Sequence, residues 1–405
     1  MRDGWRTVRL GDVLVSDNSK LGEHDEEPVV FSLSKYDGVV LADDYFDKRI
    51  ASDKLDGYKV LGPGGWAYST IHIDEGSIAT NHHGLTGVLS PMYTTMRWVG
   101  QDDDPRYFEL LLRAPRMLTV YRDNAAGTVN RRRSLAYKAF AELRVDVPPL
   151  VVQRRVVDLV DAVDTYAAAA GRAAAETRRA LDAHLEGFDT WTVSDGTALG
   201  DLASMGSGPS WKAEQERSVA GPGTLPVVKI TNTRPDGRLV MDERAFVADL
   251  PASTGVLDED SLVMIRTNGN RDRIGNVYRS TPETVGHAVS AFQIAVHPFD
   301  PADSAYLFWY LRSPRVQRLI SEAASGTTGL GNVAVRWLRQ LEVPWPDAST
   351  RAVFVDTAEA MLTASESASN VGEGLSGLRS ALLGELLSGE REVPGSYDEL
   401  MGLVA

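Results

Sequence analysis

The amino-acid sequence repeats in outline, and this repetition limits the possible folds more than any other feature. Leu10-Gly-Asp-Val13 returns as Leu199-Gly-Asp-Leu202, and the ten residues from Tyr107 return from Tyr306 with five identities. Two further matches keep the same order: Ala126-Gly-Thr128 with Ser325-Gly-Thr327, and Leu143–Pro149 with Leu341–Pro346. Because four ordered matches are improbable by chance, we interpret the 405 residues as two copies of one unit.

Each copy ends in a segment whose apolar residues recur at sevenfold spacing. Pro148 and Pro149 precede the first segment and Pro344 and Pro346 precede the second, and proline is well placed at a helix start. Two interleaved heptad rows follow in each segment: Val156, Val163, Ala170, Thr177 and His184 with Val160, Ala167, Ala174, Leu181 and Phe188, then Phe354, Met361, Ala368, Leu375 and Leu382 with Ala358, Ser365, Gly372, Arg379 and Leu386.

Apolar rows as narrow as these predict two long helices that pack on each other as an antiparallel coiled coil. Each would hold about 37 to 40 residues and measure roughly 55–60 Å. The alternative is that each helix packs only on its own domain. Glycines at 372, 374, 377 and 384 weaken the second helix by about 1 kcal/mol each relative to alanine. We therefore expect that helix to be kinked or to depend on its partner.

The globular parts have the pattern of mixed α/β domains that are mostly β. Strand-like runs between glycine, proline and asparagine lie at 227–230, 261–265, 275–278 and 289–296. One amphipathic helix per domain is predicted, at 107–120 and 306–321. The fold class is therefore α+β, with two domains separated by two long antiparallel helices, a coiled-coil spacer, in a pseudo-two-fold arrangement. The predicted segments are domain 1–147, helix 148–188, domain 189–346, helix 347–390 and C-terminal tail 391–405.

Several classes of chemistry are excluded by what the sequence lacks. There are no cysteines, which excludes disulfides, thiolate catalysis and cysteine-bound zinc. No P-loop, Asn-Pro-Pro-Tyr run, Gly-x-Ser-x-Gly or His-Glu-x-x-His occurs, and the glycine clusters at 62–65 and 206–208 do not fit the dinucleotide motif, so no catalytic residue is assigned. His82-His83 is the only paired histidine, and we expect no metal site there. The lack of an apolar leader or a long apolar run favours a cytoplasmic chain without membrane contact.

The net charge of −14 weighs against nucleic-acid binding if the chain is taken whole. Acid is concentrated after residue 347, where nine acidic residues stand against three basic ones. Residues 1–145 are close to balance, with 21 acidic and 19 basic residues. The totals therefore leave room for a local basic surface on either domain.

Polar loops rich in arginine and asparagine are the candidates for contact with DNA. These side chains pair in bidentate fashion with guanine and adenine edges, and clustered arginines suit phosphates. The alternative for each loop is an ordinary hydrophilic turn. The candidates are Tyr68, Ser69, Thr80, Asn81, His82, Asn130, Arg131, Arg132 and Arg133 in the first copy, and Lys229, Asn232, Arg266, Asn268, Asn270, Arg271 and Arg273 in the second.

The ordered motifs resemble the specificity (S) subunits of type I restriction–modification systems over nearly the whole chain. The resemblance rests on Trp5 with Leu10–Val13, on Leu199–Leu202, and most on Val147-Pro-Pro-Leu-Val-Val-Gln153-Arg-Arg-Val-Val157 at the entry to the first helix. Gly87–Tyr93 is similar to a segment common in the family's recognition domains. The second copy departs from the pattern, since Ser349-Thr350-Arg351 stands where the family's glutamine would fall.

The resemblance implies two target recognition domains, each reading one half of a bipartite site in double-stranded DNA. The paired helices would set the half-site spacing and dock two methyltransferase (M) subunits, which restriction (R) subunits would join. The chain would be non-catalytic and bind no cofactor, since S-adenosylmethionine, ATP and Mg²⁺ would belong to those partners. The alternative is an interaction scaffold of another phage-defence complex whose domains bind protein rather than DNA. A stand-alone nuclease or methyltransferase is disfavoured because its motifs are missing.

Overall fold

A computed structural model describes residues 4–23, 27–46, 54–126, 134–189, 196–234, 237–324 and 331–400. The contacts divide the chain into two compact units, Met1–Ala169 with Val371–Ala405, and Ala170–Asn370. Each unit therefore holds one globular domain and one part of each long helix. The boundaries predicted between domains and helices, and the pseudo-two-fold relation, remain predictions.

The domain of the first unit is built on a four-stranded antiparallel sheet flanked by two-stranded pairs and short helices. The sheet has the strand order Leu14–Ser16, Tyr93–Trp98, Trp66–Ser69, Ile78–Thr80. The pairs are Arg6–Arg9 with Arg144–Val147, Phe31–Ser34 with Gly38–Leu41, and Lys59–Leu61 with Gly87–Leu89. The short helices are Leu10–Val13, Ala42–Tyr45, Pro105–Leu112, Pro115–Asn124, Tyr137–Glu142 and Tyr397–Leu400, with a 3-10 turn at Ile73–Glu75.

The domain of the second unit has the same central sheet and adds a second one. The central sheet has the order Ala203–Ser207, Gln293–Pro298, Leu262–Ile265, Val277–Arg279, and the second has the order Glu216–Arg217, Ala245–Ala248, Thr224–Val228, Ala288–Val289. The strand pairs are Thr197–Ala198 with Glu342–Val343 and Thr267–Asn268 with Gly331–Asn332. The helices are Leu199–Leu202, Ser304–Arg312, Pro314–Ala323 and Val335–Arg339, with 3-10 turns at Gly187–Asp189, Ala213–Gln215, Ile230–Asn232, Arg271–Arg273 and Pro301–Asp303.

The two central sheets correspond strand by strand. In each, a six-residue strand pairs with the domain's first sheet strand on one side and with the hairpin on the other. Trp66 and Leu262 hold the same place, because each pairs with the fourth residue of the six-residue strand, Met96 or Val296. Leu10–Val13 and Leu199–Leu202 form the same short helix before the sheet. The repeat in the sequence is therefore a repeat in the fold, and the α+β prediction is confirmed.

The strand-like runs predicted in the second domain largely coincide with strands. The first three fall on Thr224–Val228, Leu262–Ile265 and Val277–Arg279. The fourth run, 289–296, is divided by a turn in which the Gln293 N–H donates to the Ser290 carbonyl at 2.9 Å. The chain therefore changes direction there, between two strands of different sheets.

The prediction of one helix at 107–120, and of one at 306–321, is wrong in the same way in both domains. Each segment forms two helices with a break between them. Ala114 and Ser313 lie at the two breaks, each directly before a proline, with extended backbone at ψ 146° and ψ 144°. Proline disfavours helical backbone at the residue before it, so the repeated proline divides the helix in both copies.

The two long helices are Leu150–Glu186, with 37 residues, and Ala348–Ser388, with 41. Both are continuous helices, as the heptad rows predict. The glycines of the second helix do not end it, because packing against other elements supplies the stability that its own propensity lacks.

Contacts between the helices show that they run antiparallel inside each unit. In the first unit, Arg379 Nε donates to Asp164 Oδ1 at 2.6 Å, whereas Arg155, earlier in the first helix, donates to Asp398, beyond the end of the second. In the second unit, Ser365 Oγ donates to the Ala174 carbonyl at 3.1 Å, and the His184 ring stacks on Phe354 at 4.1 Å. Residue numbers therefore rise along one helix as they fall along the other.

The heptad rows are the packed faces of the helices, since every member of the rows is buried or half-buried. Next to these rows, Val157 and Leu383 pack on the core of the first domain, and Leu185 and Leu362 pack on the core of the second. The helices therefore pack on each other and also on the domains. Both packing modes that the sequence left open are present together. The buried row members are Val156, Val160, Ala174, Leu181 and Phe188 in the first helix, and Phe354, Ala358, Ser365 and Leu386 in the second.

Gln153 joins the first domain to the start of its helix. Its side chain is completely buried. Its Oε1 accepts from the Asp104 N–H at 2.9 Å, and its Nε2 donates to Asp103 Oδ1 at 2.6 Å and to the Pro148 carbonyl at 2.9 Å. The amide thus bonds the helix start to the domain through both of its polar ends.

Arg351 makes the corresponding contacts in the second copy, where the glutamine is absent. Its Nη1 donates to the Pro346 carbonyl at 2.6 Å, and its Nη2 contacts Asp303 Oδ1 at 2.9 Å. Its guanidinium also lies over the Trp345 ring, 4.1 Å from the centroid. The junction is therefore kept in the second copy by a different side chain.

Candidate nucleic-acid interface

In each domain, the central hairpin ends in a loop, and in the second domain this loop carries predicted contact residues. The loops span 70–77 and 266–276 and follow equivalent strands. Each contains a 3-10 turn followed by a glycine, Gly76 at φ 100° and Gly275 at φ 88°. Because such left-handed backbone favours glycine, the two loops are built on the same plan.

The second-domain loop brings four candidates to one end of the sheet. The Arg266 side chain is half-buried, and its Nε donates to the Val333 carbonyl at 3.4 Å. Asn268 Oδ1 accepts from the Asn270 N–H at 2.8 Å, and Asn270 Oδ1 accepts from the Asp272 N–H at 3.0 Å. These bonds use the amide oxygens to shape the loop, while Asn270 and Arg271 are exposed.

Three other candidates of this domain are engaged inside it. Arg273 Nη2 donates to Thr233 Oγ1 at 2.7 Å, and Lys229 pairs with Glu216 at 2.6 Å. Asn232 is buried, and its amide accepts from one backbone N–H and donates to two backbone carbonyls. Asn232 therefore stabilises the loop and offers no free group, which corrects its assignment as a DNA contact.

Tyr68 and Ser69 lie in the first-domain sheet rather than on its surface. Tyr68 is completely buried, donates its hydroxyl to the Leu135 carbonyl at 3.0 Å and stacks on Phe140. Burial raises the pKa of this hydroxyl to about 12, so the group stays neutral. Ser69 is also buried. Both are structural residues of the sheet, and their assignment as DNA contacts is corrected accordingly.

The residues that follow the hairpin divide into buried and exposed groups. Thr80 is buried, and its N–H donates to Glu109 Oε1 at 3.3 Å. Asn81 is buried and donates its amide to the carbonyls of neighbouring loops, so it too holds the backbone. His82 is exposed and contacts Glu109 Oε2 at 2.8 Å through Nε2. Of these candidates, His82 alone presents its side chain to solvent.

The His82–Glu109 contact changes the pKa of both groups. The hydrogen bond to Glu109 raises the pKa of His82 above its usual value. Burial opposes ionisation of Glu109, but the bond to His82, its charge and the Thr80 N–H outweigh that cost and lower the pKa. The pair therefore favours a charged imidazole at the surface of the first domain.

The first-domain loop differs in charge from its counterpart. His72 and Lys35 contact Glu75 at 3.1 Å and 3.2 Å, and Arg122 lies 3.9 Å from Asp74. The two acids of this loop are thus paired with His72 of the loop and with bases outside it, whereas the second-domain loop carries three arginines and a single aspartate. The equivalent loops differ in the chemistry that they offer to a ligand.

Asn130, Arg131, Arg132 and Arg133 lie outside the described residues, and their assignment remains a prediction. Among the residues that the structure describes, no group of three histidine, aspartate or glutamate side chains is arranged to hold a metal ion. The helices of the described ranges include none long and apolar enough to cross a membrane.

Two exposed apolar residues at equivalent places were missed by the sequence analysis. Met92 and Phe292 each stand one residue before the six-residue strand of the sheet, on a turn closed by a backbone hydrogen bond. Their side chains are 65% and 52% exposed. Phe292 adjoins the second-domain loop, because its carbonyl accepts from the Arg266 N–H at 2.8 Å. The sequence signal for Met92 was its place in the segment Gly87–Tyr93. The equivalent place of Phe292 becomes visible only when the strands of the two domains are aligned.

A further exposed surface lies along the helices, which we call the open helix face. In antiparallel pairs the flanking heptad positions of one helix meet the same positions of the other. One flank packs on the domains, and the other flank carries no charged residue between Ala162 and Ala169 or between Val371 and Ala381. Tyr166 on this flank is 69% exposed. The open helix face of the first unit comprises Ala162, Tyr166 and Ala169 with Val371, Gly374, Leu378 and Ala381.

The same heptad positions in the second unit carry smaller side chains. Its members are Ala173, Glu176, Ala180 and Ala183 of the first helix, and Val353, Thr357, Ala360, Ala364 and Ser367 of the second. Most of these side chains are exposed. Small residues let a neighbouring helix approach closely, so each unit presents a surface suited to helices.

No protein-family model matches the sequence, and no curated protein matches it. Solved structures do match. The HsdS subunit from Thermoanaerobacter tengcongensis is similar over 96% of this chain and 98% of its own, with 17% identity and a TM-score of 0.52. A structure from work on complex assembly and conformational transition of the type I R-M system has the same coverage, 15% identity and a TM-score of 0.61.

The S subunit of the type I restriction–modification system of M. genitalium is similar over 94% of this chain and 96% of its own, with 11% identity and a TM-score of 0.53. These likenesses cover both domains and both long helices of the chain. The protein has the fold of the specificity subunits of type I restriction–modification systems.

Proposed function

We propose that the protein is the non-catalytic specificity subunit of a type I restriction–modification complex. Each domain reads one half of a bipartite site in double-stranded DNA, and the helices dock methyltransferase subunits and set the spacing. The observation that carries the proposal is a likeness to specificity subunits that spans the whole domain–helix–domain–helix order. Methylation, with S-adenosylmethionine, and ATP- and Mg²⁺-dependent restriction would belong to the partner subunits.

The equivalent loop ends of the two central sheets support the reading of two half-sites. A duplicated domain presents the same surface twice, while different loop residues give each copy its own sequence preference. Arg266, Asn268 and Arg271 have the side chains that recognise guanine and adenine edges. The first domain offers His82 and a loop whose acids are paired with bases. Two different half-sites, rather than a palindrome, follow from this difference.

The open helix face supports the docking of methyltransferase subunits. A row of apolar and small residues at heptad spacing accepts a further helix in the manner of a helical bundle. Tyr166 and Leu378 are its large exposed members in the first unit. We propose that each unit receives helices of one methyltransferase subunit, which accounts for two such partners in the complex.

Methylome sequencing of cells that express the protein with its methyltransferase tests the proposal. We expect adenine methylation at a two-part motif with a fixed gap. Exchange of Arg266, Asn268 and Arg271 for alanine is expected to abolish methylation and the salt-sensitive binding of duplex DNA. A continuous motif, or DNA binding that ignores these exchanges while a protein ligand is lost, would instead favour the scaffold alternative, whose domains bind protein.

The spacer role has its own test. Removal of seven residues from each long helix keeps the heptad seam in register and shortens the pair by roughly 10 Å. We expect the recognised bases to stay and the gap between them to shrink by about three base pairs, given the ~3.4 Å rise of DNA. An unchanged gap would contradict the spacer role.

The docking surface is tested by a charge placed on it. Leu378→Glu puts a carboxylate at the centre of the open helix face, where burial against a partner is costly. We expect the affinity for the purified methyltransferase subunit to fall by roughly tenfold or more, as measured by calorimetry. Ser380→Glu, two residues away on an exposed position off this face, is the matched control. Equal affinities for the two variants would place the partner elsewhere.

A further inference from the structure

The exposed turn residues Met92 and Phe292 raise the question of why both copies keep a large apolar side chain in water. Each occupies the third position of a turn in which the residue after it donates its N–H to the first residue, Ser90 or Ser290. The turn leads into the same strand of the same sheet in both domains. Both turns begin with serine, their second and fourth residues differ between the copies, and the large exposed apolar side chain is common to both.

The turn that carries Phe292 is held rigidly. Gln293 is completely buried, and its Oε1 accepts from the Ser290 N–H at 3.0 Å and from Ser290 Oγ at 2.8 Å. The Phe292 carbonyl accepts two backbone N–H groups of the loop, from Arg266 at 2.8 Å and from Thr267 at 3.2 Å. The backbone of Phe292 is therefore fixed beside the start of the loop that carries the arginine and asparagine candidates.

The neighbours of the ring indicate what it would touch. The guanidinium and amide groups of Arg266 and Asn268 suit the base edges of the major groove, whose apolar group is the thymine 5-methyl. A wedge between base pairs would have to project beyond its neighbours. The Phe292 carbonyl accepts the backbone N–H groups of Arg266 and Thr267, so the ring sits on a tight turn beside the start of the loop rather than at a projecting tip. We therefore take it to reach the edges of the bases rather than their stack.

We propose that Phe292 in the second domain, and Met92 in the first, contact the 5-methyl group of a thymine in their half-sites. This inference rests on the proposed function and adds to it a specificity-determining residue in each domain. The hydrogen-bonding side chains then select purine partners, and the apolar residue distinguishes thymine from cytosine at a neighbouring position.

The test compares DNA with and without the methyl group. The complex with the methyltransferase is titrated with its bipartite site, in which each thymine in turn is replaced by deoxyuridine. One replacement in each half-site is expected to weaken binding roughly fourfold, the effect of removing about one buried methyl group. In the Phe292→Ala complex the normal site should bind about as weakly, and the replacement in that domain's half-site should have no further effect.

Two variants separate this contact from a general effect on folding. Phe292→Leu keeps an apolar group and should retain the sensitivity to the methyl group. Phe299→Ala removes a ring that is 64% exposed at the opposite end of the same strand, and it should bind every site like the unchanged complex. The same scan applied to Met92→Ala should remove the methyl sensitivity of the other half-site.

The outcomes distinguish the inference from the function on which it rests. If the unchanged complex recognises a bipartite site but Phe292→Ala binds all substituted sites as the unchanged complex does, the inference is overturned and the proposed function stands. If the unchanged complex recognises no bipartite site, both fail.

Discussion

The junction at Gln153 gives a prediction whose magnitude follows from its contacts. Gln153→Leu keeps the volume and burial of the side chain but removes three hydrogen bonds. The Asp104 N–H and the Pro148 carbonyl lose their partners, at about 1 kcal/mol each, and Asp103 loses a charge-assisted bond of about 1.5–3 kcal/mol. Because Asp103 keeps its ion pair with Arg6 at 2.6 Å, we expect the lower part of this range.

The free energy of unfolding is therefore expected to fall by about 3.5–4 kcal/mol. Urea denaturation followed by tryptophan fluorescence measures it, with each transition fitted separately because the chain has two units. Gln101→Leu, the same exchange at an exposed position in the same domain, should change stability by less than about 0.5 kcal/mol. A loss below about 1 kcal/mol for Gln153→Leu would refute the account of the junction, since it would mean that the three groups find new partners.

Three further predictions concern the second junction, the helix pair and the surface histidine. The Arg351→Gln variant should unfold at a higher urea concentration than the Arg351→Ala variant. An amide at this position can donate to the Pro346 carbonyl, as Gln153 donates to the Pro148 carbonyl in the first copy. Ser365→Leu should lose about 1–3 kcal/mol of stability by overpacking the helix interface, whereas Ser380→Leu on the exposed side should be close to neutral. The raised pKa of His82 contributes stability that is fully present below the ordinary histidine pKa and is lost as pH rises through the raised value. His82→Asn, which removes the contact with Glu109, should therefore lower the melting temperature at pH 5.5 but hardly at pH 9, and an equal effect at both would contradict the ion pair.

The duplication and the helices were accessible from the sequence because they leave periodic signals. Heptad spacing identified the packed rows, and Phe188 and Phe354 are buried as those rows require. The division of the domain helix was also available, since Pro115 stands inside the predicted span. The apolar periodicity on both sides of the proline masked the break.

The surface of the domains was harder to predict because the same residue types stabilise loops and bind ligands. Asn81 and Asn232 hold backbone groups in place with their amides, and the sequence shows only that they are polar. Tyr68 is of a residue type common at ligand contacts, but its position in the strand Trp66–Ser69 buries it. Met92 and Phe292 were missed because an apolar residue in a strand-like run is ordinarily a core residue.

The Gln153 junction had a sequence signal in one copy and none in the other. Arg351 follows a different residue pattern, although it contacts the equivalent carbonyl and an equivalent aspartate. Geometry, rather than residue identity, is repeated here. A motif search restricted to glutamine would have classed the second junction as absent.

The pairing of each domain's first and last strands has a consequence for how the protein can change. Arg6–Arg9 lies beside Arg144–Val147, and Thr197–Ala198 lies beside Glu342–Val343. The chain therefore enters and leaves each domain through two strands that pair with each other. A foreign segment inserted between these strands by recombination would leave the helix ends in place. Under the proposed function, exchange of a whole domain would change the recognised half-site and leave the long helices unchanged.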